Sequence, residues 1–332
     1  MIKINKAILH ILDFNSGITV FSEQELEIEN NIIYNFLSKH IEKCSKELSA
    51  KNSKLSIENT LTQKIRDYKE DKIKFKQLSL VIGEAIYSNV SHSDKIDSTD
   101  LLICDFTYED KNYIAILLCK NRIGFTHQVT KINNTVKNDI INHYAILPNL
   151  SQKLDEFAFI NLTSFEIMYF NKKRYIDGKD SYVFQDLFDC TDSISPKEAI
   201  KSVNTIALNV AENHGANTAV AISKVKSYIS DNSEISDNID TANLAMEVFH
   251  NSEDMQKEFI SEIRKAGIPS TIKVDKNYAI KTNKTHKIKT DTGIEITIPV
   301  DYYQNKDFIE FINNPDGSLS IELRNIGQII NK

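Results

Sequence analysis

Asp105 and Lys120 have residue types that could belong to a metal-dependent nuclease core, because they lie in two neighbouring apolar segments. Such a core holds Mg²⁺ between two carboxylates and uses a lysine to orient the attacking water. The second carboxylate should lie two residues before the lysine, but Leu118 occupies that position. With one carboxylate the metal would have too few oxygen ligands. The sequence therefore argues against a nuclease of this type.

His40 and Cys44 are the best-spaced candidates for a metal site, since they are four residues apart on one face of a predicted helix. Both fall on an apolar stripe, and no second pair of similar spacing follows them. Buried core residues are the better interpretation. The signatures GxxxxGK[ST], GxGxxG, HExxH and GxSxG are also absent. We predict no catalytic residues, no metal site and no cofactor.

The elements that carry these residues centre on Asp100 to Lys120. Two apolar runs, Leu101 to Phe106 and Tyr113 to Cys119, flank a polar cluster at positions 109–112. An uninterrupted apolar run of this length is typical of a strand buried on both faces. We predict a hairpin at the centre of a sheet, covered by helices.

The flanking segments predict an α+β domain over residues 1–192, with a largely antiparallel sheet and packed helices. A stretch without clear pattern follows Gly124 to Lys131. The predicted strands are Ala7 to Leu12, Ile18 to Phe21, Glu156 to Leu162 and Phe165 to Phe170, and the predicted helices cover about 30–48, 61–68 and 72–89.

Ser195, Pro196 and Glu198 form the clearest local signal in the chain. Serine at the N-cap, proline at the first helical position and glutamate two residues after it predict a helix start with a capping box. This helix opens a predicted helical region over residues 193–268, with further helices at about 218–230, 241–249 and 253–265. Period-two alternation near Ile294 to Ile298 and Leu319 to Leu323, with a turn at Asn314 to Gly317, predicts a small β-rich module over residues 269–332.

Composition and charge bound the function further. The net charge of the 332 residues is −6, which argues against a uniformly basic nucleic-acid binder but allows a local basic surface. No window approaches the roughly 18 to 20 apolar residues of a membrane helix, and the first residues do not match a secretory signal. The four cysteines lack CxxC spacing, which is typical of reduced and mostly buried thiols rather than of a disulfide framework. We predict a cytoplasmic protein with no membrane partner.

Three blocks of the chain resemble the bacterial nucleoid-associated protein family of the NdpA/YejK type. They are INKAILHIL near the start, KKRYIDGKDSYVFQDLFDC (172–190) with the following SPKEAIKSV, and the segment from His286 to Ile326. Their order and spacing span nearly the whole chain. The resemblance implies association with the bacterial nucleoid and no assigned enzymatic activity.

A strong charge asymmetry agrees with that resemblance. Residues 231–258 hold eight acidic residues and one lysine, whereas residues 264–291 hold eight basic residues and two aspartates. Lysines near Tyr278 could neutralise phosphates without reading bases, as nonspecific DNA binding requires. The alternatives are that both runs are solvated faces, or that they pair between subunits. The candidate phosphate contacts are Arg264, Lys265, Lys273, Lys276, Lys281, Lys284, Lys287 and Lys289.

Two other basic stretches are weaker candidates. Lys172, Lys173 and Arg174 form a compact triplet beside Tyr169 and Tyr175, which could also touch a phosphate. Residues 39–76 mix eleven basic residues with acidic ones, which favours a solvated surface.

Together these observations predict a non-enzymatic, nucleoid-associated protein that binds DNA largely without sequence specificity. The alternative is an adaptor that reaches the nucleoid through a protein partner in DNA topology, repair or phage defence. The acidity of the chain favours the adaptor, and the basic segment favours direct contact. A homodimer is possible, because the two charge runs could match across a twofold axis.

Overall fold

A computed structural model of the protein describes residues 2–94, 97–176, 178–190, 193–276, 278–279, 285–299, 302, 305, 307–314 and 318–328. The chain divides into two units, Met1–Ser193 and Ile194–Lys332. The helical region and the β-rich module that the sequence suggests both fall in the second unit.

The first unit contains a seven-stranded antiparallel sheet with helices on both faces. The strand order is β2-β1-β4-β5-β8-β9-β3. Its elements are β1 Lys3–Asp13, β2 Ile18–Val20, α1 Asn31–Ser45, β3 Lys51–Lys54, α2 Thr60–Lys69, α3 Phe75–Ser91, β4 Thr99–Tyr108, β5 Lys111–Lys120, β6 Arg122–Ile132, β7 Thr135–Ile146, β8 Glu156–Asn161, β9 Glu166–Phe170, β10 Arg174–Ile176, β11 Lys179–Ser181 and α4 Val183–Phe188.

The predicted central hairpin is confirmed as β4 and β5, and its side chains alternate between two cores. Leu101 and Ile103 pack with α2, α3 and α4, whereas Leu102 and Cys104 pack with α1. Successive side chains of a strand point to opposite faces, so an unbroken apolar run is what a strand between two helical layers requires. All four cysteines are buried, as the sequence predicted for most of them.

β6 and β7 form a separate two-stranded ribbon that pairs with no other strand among the described residues. Ten register pairs join the two strands, with a bulge between Arg122 and Gly124. Asn133 and Asn134 link them, and both have positive φ angles, 49° and 62°. Asparagine tolerates that conformation, and two such residues make the tight turn whose twist suits a hairpin. β7 falls in the stretch that has no clear pattern in the sequence.

The second unit begins with four helices around one apolar core. Its elements are α5 Pro196–Asn213, α6 Thr218–Ile235, β12 Asn238–Asp240, α7 Thr241–Val248, α8 Glu253–Lys265, β13 Thr271–Lys273, β14 Thr285–Lys289, β15 Glu295–Pro299, β16 Ile309–Asn313 and β17 Leu319–Leu323. The capping box is confirmed: Glu198 N donates to Ser195 Oγ at 3.3 Å, and Ser195 N donates to Glu198 Oε2 at 2.9 Å.

Two hairpins, β14–β15 and β16–β17, form the β-rich part of the second unit. Buried Ile298 and Ile309 join them, and Val220 of α6 packs against the same small cluster. The predicted turn at Asn314 to Gly317 includes positions outside the described residues, but the strands on either side of it pair with each other. The predicted α+β class with an N-terminal antiparallel sheet is therefore confirmed.

Candidate nucleic-acid interface

The triplet Lys172, Lys173 and Arg174 is already compensated by carboxylates of the first unit. Lys172 Nζ lies 3.3 Å from Asp97 Oδ2, and Lys173 Nζ lies 2.7 Å from Asp180 Oδ2. Arg174 is buried. Two of the three cations remain exposed, but each has a carboxylate neighbour, so the triplet offers phosphates little excess positive charge.

Arg174 itself faces a narrow cleft in which both signs of charge meet. Its guanidinium pairs with buried Glu156, and Lys120 Nζ lies 2.7 Å from Asp97 Oδ2. The cleft is lined by Asp97, Thr99, Leu118, Lys120, Asp155, Glu156, Lys172 and Arg174. Three carboxylates face three cations here, so the cleft has no surplus of either sign. Arg174 is therefore not available to a DNA phosphate.

The last turn of α8 carries Arg264 and Lys265, and both are exposed. Lys265 Nζ lies 2.7 Å from Glu262 Oε1, whereas Arg264 makes no ion pair with the described part of the chain. Cations at this end of a helix also complement its dipole. Arg264 is thus exposed and uncompensated, and Lys265 is half neutralised.

Lys273 and Lys276 follow on the segment after α8. Lys273 ends β13 and Lys276 lies three residues beyond it, and both are exposed. Tyr278, which the sequence suggested as a neighbour of these lysines, is half-buried and packs against the helical core. Lys281 and Lys284 lie outside the described residues.

The β14–β15 hairpin presents Lys287 and Lys289 on one exposed face. In the register of the two strands, Lys287 is opposite Thr297 and Lys289 is opposite Glu295. Ile288, between the two lysines, points to the other face and packs against Ile298 and its neighbours. Alternation along the strand therefore holds both lysines toward solvent.

These two lysines differ in their compensation. Lys289 Nζ lies 3.2 Å from Glu295 Oε1, in a pair whose side chains are about 70% exposed (68% and 71%). A pair this open contributes about 0 to 1 kcal/mol and can be exchanged readily for another anion. Lys287 makes no ion pair within the described ranges, so it is the best placed of the candidates for a phosphate.

α7 and α8 follow each other in the order of a helix–turn–helix, joined by residues 249–252. Phe249 and Phe259 pack edge to face across this junction, with ring centroids 5.5 Å apart. In DNA-reading proteins of that type, the beginning of the second helix faces the bases. Here that position carries exposed Glu253 and Asp254. Carboxylates would repel phosphates, so this helix start does not suit DNA.

The residues considered for catalysis lie apart. Asp105 is opposite Ile114 and Lys120 is opposite Thr99, which places them near opposite ends of the β4–β5 pair. Asp105 instead accepts hydrogen bonds from Asn5 and from the hydroxyl of Tyr68. Asp105 and Lys120 therefore cannot share a metal ion.

His40 and Cys44 are core residues, as predicted. Their exposures are 1% and 4%, and His40 Nε2 lies 3.3 Å from the carbonyl oxygen of Pro148. Burial lowers the pKa of His40 and raises the pKa of Cys44. Among the described residues, no group of three or more His, Cys, Asp or Glu side chains could hold a metal ion.

The β6–β7 ribbon was not predicted from the sequence. Apart from Ile32 of α1, it carries the most exposed apolar side chains of the first unit among the described residues. The Asn133–Asn134 pair between segments rich in Val, Thr and Ile was the available signal, since it favours a tight hairpin turn.

A family model described as nucleoid-associated protein YejK matches residues 8–330. The chain belongs to this family. The predicted family membership is therefore confirmed. The family is described as nucleoid-associated, which confirms the predicted nucleoid-associated role of this YejK-family chain. A comparison with curated proteins gave no match. No helix among the described residues is long and apolar enough to cross a membrane.

Proposed function

We propose that the chain associates with the nucleoid by direct contact with DNA phosphates, without sequence readout and without catalysis. The proposed contacts are eight basic residues of the second unit: Arg264, Lys265, Lys273, Lys276, Lys281, Lys284, Lys287 and Lys289. The six of them that the structure describes are exposed. Lys287 carries the proposal, because it lies on an open hairpin face, opposite an uncharged residue.

The chemistry of phosphate binding supports this assignment. A lysine that displaces condensed counterions from DNA contributes affinity at any base sequence. Such a residue must be exposed and must not already be held by a strong internal partner. Arg264, Lys276 and Lys287 meet both conditions, and Arg174 meets neither. The acidic start of α8 argues against recognition of DNA bases by α7 and α8 as a helix–turn–helix.

The test is the affinity of the full chain for a mixed-sequence duplex, measured by fluorescence anisotropy as salt is varied. Direct contact predicts a linear fall of log K with log salt, with a slope of about 0.9 per phosphate neutralised. The variant K281Q/K284Q/K287Q/K289Q should weaken binding to every duplex and flatten that slope.

A matched control separates local contact from net charge. Lys39, Lys46, Lys64 and Lys72 are surface lysines of the first unit that pair with carboxylates. Replacing these four with glutamine changes the net charge equally but should leave the slope unchanged. Equal losses in both variants would contradict the site, and no binding at low salt would contradict direct contact.

The second candidate is an adaptor that reaches the nucleoid through a protein partner. The exposed carboxylates at the start of α8 favour it, since the Glu253 side chain is 85% exposed and paired only with Lys257 in the described structure. If the duplex does not bind, a pull-down with E253Q/D254N as the comparison variant would test this surface. Loss of one captured protein in that variant would support the adaptor.

A further inference from the structure

An open pocket of the second unit lies between the first turns of α6 and the junction of α7 with α8. Its volume is about 180 Å³. Its walls are mostly apolar and include Val220, Phe249 and Met255. Among the described residues that line it, Lys224 and His250 are those with titratable side chains. The pocket therefore combines apolar walls with one amine and one imidazole.

The amine of Lys224 is held by two hydrogen-bond acceptors at the edge of this pocket. Lys224 Nζ lies 2.9 Å from His250 Nδ1 and 3.4 Å from the carbonyl oxygen of Val248. His250 accepts this bond in the tautomer that carries its hydrogen on Nε2. A neutral amine has two hydrogens and one lone pair. The two acceptors use the hydrogens and leave the lone pair free to react.

The surroundings of Lys224 favour the neutral form of its amine. Burial lowers the pKa of Lys224, and the carboxylate of Glu247 on α7 acts in the opposite direction. In the part of the chain that the structure describes, Lys224 forms no ion pair with a carboxylate, and Glu253 at the start of α8 pairs with Lys257 instead. A lysine that is desolvated against apolar walls is the form in which the amine acts as a nucleophile.

We propose that Lys224 is an acylation site whose acyl donor is a short-chain thioester. The lone pair of Nζ attacks the carbonyl carbon of the thioester, so that a C–N bond forms and the C–S bond breaks. His250 Nδ1 accepts the proton that Nζ loses, and the imidazole passes it to the departing thiolate. The products are an amide on Lys224 and a free thiol, and no atom is oxidised or reduced.

The pocket suits both the donor and the product of this reaction. A water molecule takes about 30 Å³ of liquid volume, so the pocket has room for an acyl group of about two to four carbons. Acylation removes the charge of the lysine, and a neutral amide avoids the cost that burial imposes on an ammonium group. Glu247, Glu253 and Asp254 are exposed on the helices that line the pocket. Their charges favour an uncharged thioester over an anionic acyl phosphate.

Competitive labelling of the full chain tests the proposal. The folded protein reacts for a limited time with the uncharged thioester S-acetyl-N-acetylcysteamine, and is then unfolded and acetylated completely with deuterated acetic anhydride. Mass spectrometry of the peptides gives the ratio of light to heavy acetyl groups, and hence the rate, at each lysine. Lys224 should react faster than Lys173 and Lys265, because hydrogen bonds to Asp180 and Glu262 raise the pKa of those two lysines.

The variant H250N tests the role of the imidazole. Asparagine Oδ1 can still accept a hydrogen bond from Lys224, but it cannot take up the proton. The rate at Lys224 should fall by at least about tenfold, since a positioned base commonly contributes about 10²-fold or more. Lys226 is the matched control, because burial also lowers its pKa but it does not line the pocket. Its rate should stay constant, and the thermal midpoint should match wild type because His250 is exposed.

Three results would overturn the proposal. The first is a rate at Lys224 no higher than the rates at Lys173 and Lys265. The second is a folded H250N chain in which Lys224 reacts as in wild type, or in which Lys226 slows equally. The third comes from a parallel reaction with acetyl phosphate. A greater preference for Lys224 over Lys173 with that reagent than with the thioester would assign the site to anionic donors.

Discussion

Arg174 and Glu156 form an ion pair inside the first unit, and each side chain is only 6% exposed. Arg174 Nε donates to Glu156 Oε1 at 3.3 Å, and Nη2 donates to the other carboxylate oxygen. The geometry is bidentate, which is the strongest arrangement available to these groups. Arg174 therefore holds β10 to β8 rather than facing solvent.

Replacing Arg174 with methionine should lower the free energy of unfolding by about 3 to 5 kcal/mol, because a buried carboxylate loses its partner. Burial raises the pKa of Glu156, and Arg174 opposes that shift. Without Arg174 the folded state should hold a proton on Glu156 at a higher pH than the unfolded state does. The loss should therefore grow as the pH rises above the ordinary glutamate value of 4.5. Urea denaturation at about pH 5 and at about pH 7.5 measures this difference.

The double variant E156M/R174M is the control for that prediction. Two apolar side chains of similar length should recover most of the lost stability, since a buried pair often contributes little beyond an apolar replacement. DNA affinity should not change in either variant. A weaker affinity in a fully folded R174M chain would return Arg174 to the interface.

Ser195 at the start of α5 should contribute to the free energy of unfolding as much as a typical helix N-cap does. Its Oγ accepts from Glu198 N, and the reciprocal bond from Ser195 N to Glu198 completes the box. We expect S195A to lower the free energy of unfolding by about 0.5 to 2 kcal/mol, and S195T to lower it less. Urea denaturation of the three proteins compares them. DNA affinity should stay constant, and a larger change in affinity than in stability would contradict a purely structural role.

Elements that are buried against a core were predicted most accurately, because burial requires a recognisable pattern of apolar residues. Leu101 to Phe106 and Tyr113 to Cys119 face a helical layer on each side, so their continuous apolar character marks the central hairpin. Helices such as α3 and α8 bury one face and therefore show the helical period. The capping box of α5 needs only neighbours within four residues, which is why it could be identified from the sequence alone.

The elements that sequence reasoning missed lack that imprint. β7 belongs to a ribbon exposed on both faces, so no core selects alternating apolar residues along it. β3, Lys51–Lys54, is a short edge strand whose pairing with β9 joins residues more than 100 positions apart. The partner of Arg174 is likewise set by the path of β8 and β10, not by spacing in the chain. Contacts of this kind depend on the tertiary fold. The number of lysines and arginines in a segment therefore does not predict which of them form internal ion pairs.

The two buried histidines of the first unit should make its stability depend on pH. Burial lowers the pKa of both His10 and His40 from the ordinary value of 6.5. The unfolded chain therefore binds protons at a higher pH than the folded chain, and stability should fall as the pH drops below about 6.5. We expect both histidines to contribute to this loss, because both pKa values are lowered.

The variant H10Q/H40Q isolates that contribution. Its stability at neutral pH should differ from wild type, but the further loss between about pH 7 and pH 5.5 should shrink, because neither glutamine titrates. Urea denaturation at the two pH values gives both quantities for each protein. An unchanged pH dependence in the variant would mean that other groups govern the acid sensitivity.

Single substitutions should separate Lys287, a proposed phosphate contact, from Lys173, a basic residue of the first unit that already has internal partners. Lys287 has no ion pair within the described residues, whereas Lys173 Nζ lies 2.7 Å from Asp180 and over the ring of Tyr175. K287Q should therefore reduce the slope of log K against log salt by about 1 and weaken binding to all duplexes alike. K173Q should change the slope less, because its charge is already partly neutralised.

The comparison is decisive because the two variants change the net charge by the same amount. Anisotropy titrations of both variants against two unrelated duplexes would measure the slope and any sequence preference together. If K173Q reduces the slope as much as K287Q, internal pairing does not decide which lysines contact DNA. If K287Q weakens binding to only one duplex, Lys287 contributes to base readout, and binding without sequence specificity would be the wrong description of this surface.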